Sequence, residues 1–202
     1  MTNTSPPSEL HRRLRQATKN PHHFLDHHPV LRPLMSSDLS IVQYGDALAA
    51  LYDIYAQAEG WVVNFLAQHT GLFDYGSRRK IPALEADLVA LGRSPARTRI
   101  IFSASPTIGS LVGILYTLEG STLGGQFIAR NLTALSHATL PMRFFSGYGD
   151  LTRPRWEDFL RFAGATCPVA EYEQAVAAAV SLFGALKRHL DEASRQSHPG
   201  PA

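Results

Sequence analysis

Four histidines crowd one short stretch, His22, His23, His27 and His28, and a second stretch, Leu118 to Ile128, carries Gly120, Gly124 and Gly125 inside an apolar helical pattern. Imidazole is both a metal ligand and a proton carrier near neutral pH. Three readings fit the cluster: a solvated helix end with incidental histidines, a zinc pair built from His23 and His27 one helical turn apart, or a single axial ligand to a haem iron. Zinc finds few further ligands, because Cys167 is the sole cysteine and Asp26 the one acid close by. Each mid-helix glycine disfavours a helix by roughly 1 kcal/mol relative to alanine, so the glycines need a reason. One is close helix packing through the Gly120-x-x-x-Gly124 spacing. The other is a backbone that must lie against a flat ligand, where a Cβ would collide.

The elements that carry these residues are helices; no run of strict apolar alternation between turn residues suggests a sheet, and the fold class is all-α. Ser8 is placed to cap a first helix to about His27, with Leu10, Leu14, Ala17 and Leu25 on one face. Pro21 lies inside it, removes a bond to the Ala17 carbonyl and is expected to kink it. Ser37 or Asp38 opens a second helix, with Val42, Leu48, Leu51, Tyr52, Tyr55, Val62, Phe65 and Leu66 at helical spacing, ending before Gly71. A short helix follows from Pro82 to Leu91, with Gly92 at C′. Thr107 to about Leu135 is a helical stretch interrupted by Gly113 and the three later glycines. Pro154 begins another, and Ala170 to about Ala193 the last.

With 202 residues, 45% hydrophobic and 18% charged, the composition is that of one globular domain. We expect a disordered N-terminus over residues 1–7, a domain over 8–193 and a disordered tail over 194–202. The longest apolar stretches are too short to cross a bilayer, and the polar start has no secretory h-region, so no membrane association and a cytoplasmic location are expected. Net charge is +2 with dispersed Lys and Arg, which argues against nucleic acid. A lone cysteine excludes disulfide and multi-cysteine metal frameworks.

The run Tyr116-Thr-Leu-Glu-Gly-Ser-Thr-Leu-Gly-Gly-Gln-Phe-Ile-Ala-Arg130 resembles the distal-helix signature of haem oxygenases, in the version found in enzymes that accompany bacterial phytochromes. Ala17-Thr18-Lys19-x-x-His22 is similar to the family's proximal histidine pattern. Arg78 to Gly92, Phe144 to Gly149 and Pro154 to Phe159 resemble further family segments, in the right order.

The resemblance implies a single-domain helical fold with haem b between a proximal N-terminal helix and a glycine-kinked distal helix. It implies oxidative opening of haem by O2 to biliverdin, CO and Fe2+, with electrons from an external reductase or ferredoxin, and biliverdin passed to a bacteriophytochrome. His22 is then the iron ligand, with His23 as fallback. Gly120, Gly124 and Ser121 form the catalytic face, Ser121 standing where the best-known members carry an Asp. Arg15, Tyr116, Gly125, Phe127 and Phe183 are implied around the macrocycle; Arg130, Lys187 and Arg188 are substitutes for a propionate cation, and Gln126 is a candidate in proton delivery. A haem carrier without turnover is the alternative. A di-iron oxidase finds no Glu-x-x-His pair, and no nucleophile elbow supports a hydrolase.

Overall fold

Ser8 starts the first helix by accepting the His11 N–H at 3.2 Å, and α1 then runs over Glu9–Asp26, straight through Pro21. The computed structural model describes residues 8–93, 102–135 and 139–197. The expected disordered segment 1–7 and the end of the expected tail, 198–202, lie outside them. Among the described residues there is no strand, and the remaining helices are α2 (Ile41–Gln68), α3 (Ile81–Ala90), α4 (Ile108–Ala134), α5 (Arg143–Ser146), α6 (Thr152–Thr166) and α7 (Tyr172–Ser197).

Helix ends follow local chemistry. α2 is opened by Ser40, which exchanges bonds with Gln43 in a capping box, so the start lies beyond the expected Ser37 or Asp38. Val42, expected in the core, is therefore in the first turn and exposed. Thr107 caps α4 through the Ser110 N–H. Gly92 takes φ +68° after α3, the left-handed value that glycine adopts without strain. α6 begins at Thr152, ahead of Pro154, and α7 continues past Ala193 to Ser197.

The core is built around α4, one continuous helix through all its glycines. α4 packs most extensively on α7, which also covers α1 and α2. The close approach of α4 and α7 sits at Gly109 and Gly113, not at Gly120 and Gly124. A Cβ on Gly113 would overlap the Ala175 carbonyl oxygen and come 3.0 Å from the Ala179 amide nitrogen, and one on Gly109 would overlap the Glu171 carbonyl. α3 serves α5: buried Asp87 accepts the N–H groups of Arg143 at 3.1 Å and Phe144 at 2.9 Å. Tyr44 donates to the Pro141 carbonyl at 2.7 Å and fixes the approach to the same short helix.

Gly113→Ala is expected to destabilise the fold by about 2 kcal/mol, since the overlap is with backbone that cannot swing aside. Gly124→Ala, at a helical position with open space, is expected to raise stability by roughly 0.5–1 kcal/mol. Chemical denaturation of the two variants checks the contrast.

Candidate functional site

α1, α2, α4, α5 and α7 enclose a cavity of about 400 Å³. α1 contributes His22, Leu25 and Asp26; the turn after it Leu31, Leu34 and Met35; α2 Leu51, Ile54, Tyr55 and Ala58. α4 supplies Thr117, Leu118, Ser121, Thr122, Gly124, Gly125, Phe127 and Ile128, α5 the pair Phe144 and Phe145, and α7 Leu182, Phe183 and Leu186. The walls are apolar apart from one imidazole, one carboxylate and a few hydroxyls.

His22 meets the Phe183 ring edge-on, with centroids 4.7 Å apart. His22 keeps an exposed surface, and the partial desolvation it undergoes among the cavity side chains lowers its pKa below the usual 6.5, against a smaller opposing pull from Asp26. The free base, which is the ligand form, therefore prevails at neutral pH. His23 and His27 lie tilted against each other, centroids 4.5 Å apart, on an exposed face and do not line the cavity. His28 is buried, accepts the Val30 N–H at Nδ1 and so carries its proton on Nε2, 3.2 Å from Asp191 Oδ1. It ties the end of α1 to α7. Among the described residues no group of three or more His, Cys, Asp or Glu is placed to hold a metal ion.

The polar centre of the cavity is a hydroxyl pair. Tyr55 donates to Ser121 Oγ at 2.7 Å, and Ser121 donates to the Leu118 carbonyl at 2.7 Å. Phe144 meets the Tyr55 ring edge-on at 5.2 Å and holds it in place. Burial pushes the Tyr55 hydroxyl up to about 12, opposed by its bond to Ser121 and reinforced by Glu59 and Glu119.

Those two carboxylates sit behind the cavity and are fully buried. Glu119 accepts from Arg78 Nη1 at 2.9 Å and from the Tyr148 hydroxyl at 2.8 Å, and pairs with Lys80 Nζ. Glu59 accepts from Tyr75 and from Arg79 Nε, each at 3.2 Å, and from the Lys80 backbone N–H.

The cavity thus brings together His22, Ser121, Gly124, Gly125, Phe127 and Phe183. Three other nominated residues lie elsewhere. A Cβ on Gly120 would touch the Trp156 ring at 3.5 Å, so that glycine faces α6. Tyr116 is buried between His11 and Trp156, with centroids 6.2 and 5.5 Å away. Arg15 is exposed on that same side, close enough to His11 and Tyr116 to act on their charges. Arg130, Lys187 and Arg188 do not line the cavity either. The two later glycines differ: at Gly124 a Cβ would meet nothing within 4 Å, while at Gly125 it would crowd the Phe145 carbonyl oxygen at 3.1 Å. Gln126 donates to the Gly149 carbonyl at 2.6 Å.

Tyr55 escaped the sequence reading as a functional group, because its spacing is that of the core residue Tyr52. Glu119 did leave a signal, a lone carboxylate among Leu115, Tyr116 and Leu118, since buried charges are paired.

The raised Tyr55 pKa gives a measurable sign. The folded value exceeds the unfolded value of about 10, so the stability it carries is fully present below pH 10 and is lost as pH rises through 12. Tyr55→Phe is expected to make the fall in stability between pH 9 and 11 shallower by roughly 1 kcal/mol, measured by denaturant titration at each pH.

Among solved structures, the NO- and CO-bound haem oxygenase from Neisseria meningitidis is similar, with TM-score 0.71, 20% identity and 90% of each chain covered. The haem oxygenase from Leptospira interrogans aligns at TM-score 0.72 and 14% identity, over 92% of this chain and 100% of its own. The haem oxygenase-1 from the cyanobacterium Synechocystis, solved with haem, aligns at TM-score 0.69 and 18% identity over 92% of both chains. No curated protein matches. The family model described as Heme oxygenase matches residues 8–192, which takes in every helix that lines the cavity. On that match, the chain belongs to the haem oxygenase family.

Proposed function

We propose that this protein degrades haem, opening the macrocycle with O2 to biliverdin with release of CO and Fe2+. The observation that carries the reading is the cavity itself, largely apolar, with the His22 imidazole on α1 and the bare backbone of Gly124 on α4 in its walls. When bound, haem supplies both the iron that activates O2 and the ring carbon that is oxidised. His22 holds the iron as a neutral imidazole. Gly124 lets a flat ligand lie on α4 without meeting a side chain. Phe183 and the leucines of α2 and α7 give the porphyrin an apolar bed, and the exposed Phe127 ring adds an apolar edge to it.

Proton handling falls to the chain's own hydroxyls. Ser121 cannot ionise usefully, and Tyr55 keeps its proton to about pH 12. Tyr55 and Ser121 therefore order water and pass protons from it, rather than acting as a carboxylic acid would. Electrons come from a separate reductase or ferredoxin, since the sequence has no dinucleotide or cluster motif. The glycine signature Leu118 to Ile128 favours delivery of biliverdin to a bacteriophytochrome.

Adding haem to the purified protein is expected to give a histidine-ligated spectrum that His22→Ala abolishes and free imidazole restores. With a reductant under air, the Soret band is expected to disappear while biliverdin absorption grows. A stable Soret band under turnover conditions would instead mark a haem carrier. Tyr55→Phe and Ser121→Ala are expected to lower the rate of haem loss about tenfold, the worth of one hydrogen bond to the reacting water, with haem affinity little changed.

A further inference from the structure

Along α4, the positions between Glu119 and Gln126 include the bare and hydroxyl-bearing wall of the cavity, Ser121 and Gly124. With no side chain at Gly120, Gly124 or Gly125, this stretch of helix is placed by what its backbone and the flanking side chains touch, the Phe145 carbonyl beside Gly125 among them. Glu119 and Gln126 are seven residues apart, two helical turns, and so share one face. Both are held by the same turn. The Tyr148 hydroxyl accepts from Lys80 Nζ at 2.6 Å and donates to Glu119 Oε1 at 2.8 Å, with the Arg78 carbonyl beside it at 3.0 Å, and Gln126 Nε2 donates to the Gly149 carbonyl at 2.6 Å.

The turn is shaped for this contact. Gly147 and Gly149 both take φ +57°, open to glycine and disfavoured for other residues. A Cβ at Gly147 would stand 3.3 Å from Thr152 Oγ1 and 3.5 Å from the Thr122 Cβ, so the turn lies against α4 between its two grips. Thr152 is fully buried, and its hydroxyl accepts the Tyr148 N–H at 3.1 Å. The Arg155 guanidinium lies over the Tyr148 ring at 4.3 Å and presses it inward.

We propose that the Gly147–Gly149 turn is a strap on α4, and that Glu119 and Gln126, the residues it grips, are positioning residues for Ser121 and Gly124 at the cavity wall. Neither lines the cavity; they act through the backbone between them. The functional half of this inference rests on the haem-degrading reading, while the strap does not.

The test uses the full chain. Glu119→Ala would strand Lys80 and Arg78 in the interior, so the informative variants are Tyr148→Phe, Gln126→Glu and Gln126→Lys. In the ligand-free protein, amide hydrogen exchange over residues 118–128 is expected to quicken about five- to tenfold in Tyr148→Phe and Gln126→Glu, each lacking one donor. Gln126→Lys, which keeps a donor, is expected to exchange at the wild-type rate, and α2 and α7 are expected to be unchanged in all three. A space-filling role would leave the near-isosteric Gln126→Glu at the wild-type rate and overturn the strap. With haem and reductant, the two loosened variants are expected to lose kcat at constant KM and to give a broader mixture of ring-opening isomers. Wild-type kcat and an unchanged isomer mixture in a haem-binding protein would overturn the positioning role. Failure of the wild type to bind haem would sink the haem reading instead, and the exchange rates would still decide the strap.

Discussion

A carboxylate with no exposed surface must be matched by donors or fold uncharged, and Glu119 is matched by Arg78, Lys80 and Tyr148 at once. The three residues 78–80 serve two masters in alternation. Arg78 and the Lys80 ammonium reach Glu119 on α4, while the Arg79 side chain and the Lys80 N–H reach Glu59 on α2. One short segment therefore fixes the spacing of the two helices that carry Ser121 and Tyr55. Their 2.7 Å bond is the cavity-side counterpart of that buried ionic anchor. Removing one partner would leave an uncompensated buried charge, which is why such clusters resist piecemeal change.

The glycines of α4 divide their work along the helix. Gly109 and Gly113 let the helix sink onto the Ala175 and Ala179 turns of α7, where even a methyl group has no room. Gly125 admits the backbone of α5, and with it Phe144 and Phe145 at the cavity. Gly124 alone of this group opens onto unfilled space, and it alone lines the cavity with nothing in front of it. A helix bare enough to accept a flat ligand is thus seated by α7 at one end and by the turn at residues 147–149 along its middle.

Much of this was legible in the sequence wherever one local interaction decides the outcome. Ser8, Thr107 and Gly92 mark helix ends by their own hydrogen bonds or backbone angle, and the helical period of α2 needs no tertiary knowledge. Ser37, Asp38 and Ser40 are all good caps, and the reciprocal bond with Gln43 settles the choice on Ser40. The role of Gly113 was not legible, since a small-residue spacing reads the same at 109–113 as at 120–124. Which pair meets a helix depends on where α7 lies. Gly120, Tyr116 and Arg15 fell on the α6 side for the same reason: a family segment names residues, while helix phase decides which of them reach the cavity. Tyr55 was invisible as chemistry because a buried tyrosine and a cavity tyrosine share one period, and only the Ser121 oxygen opposite tells them apart.

Helix phase also resolves the four histidines. Leu10, Leu14 and Thr18 form the buried stripe of α1 at steps of four, and the next step is His22. Leu25 and Asp26 continue on that face, and all three line the cavity. His23 and His27 are a quarter turn or more away, tilted against each other on the exposed side, and among the described residues their i, i+4 spacing, which suggests a metal pair, meets no third ligand. His28 follows the helix and is tied to Asp191. Pro21 removes the one backbone bond that would close on Ala17, yet the helix continues to Asp26, with Leu10, Leu14 and Thr18 buried before the gap and the His22 ring set against Phe183 of α7 after it. The imidazole is thereby placed by its contact with Phe183 rather than by the local ladder, and a proline beside it does not take it out of the cavity wall.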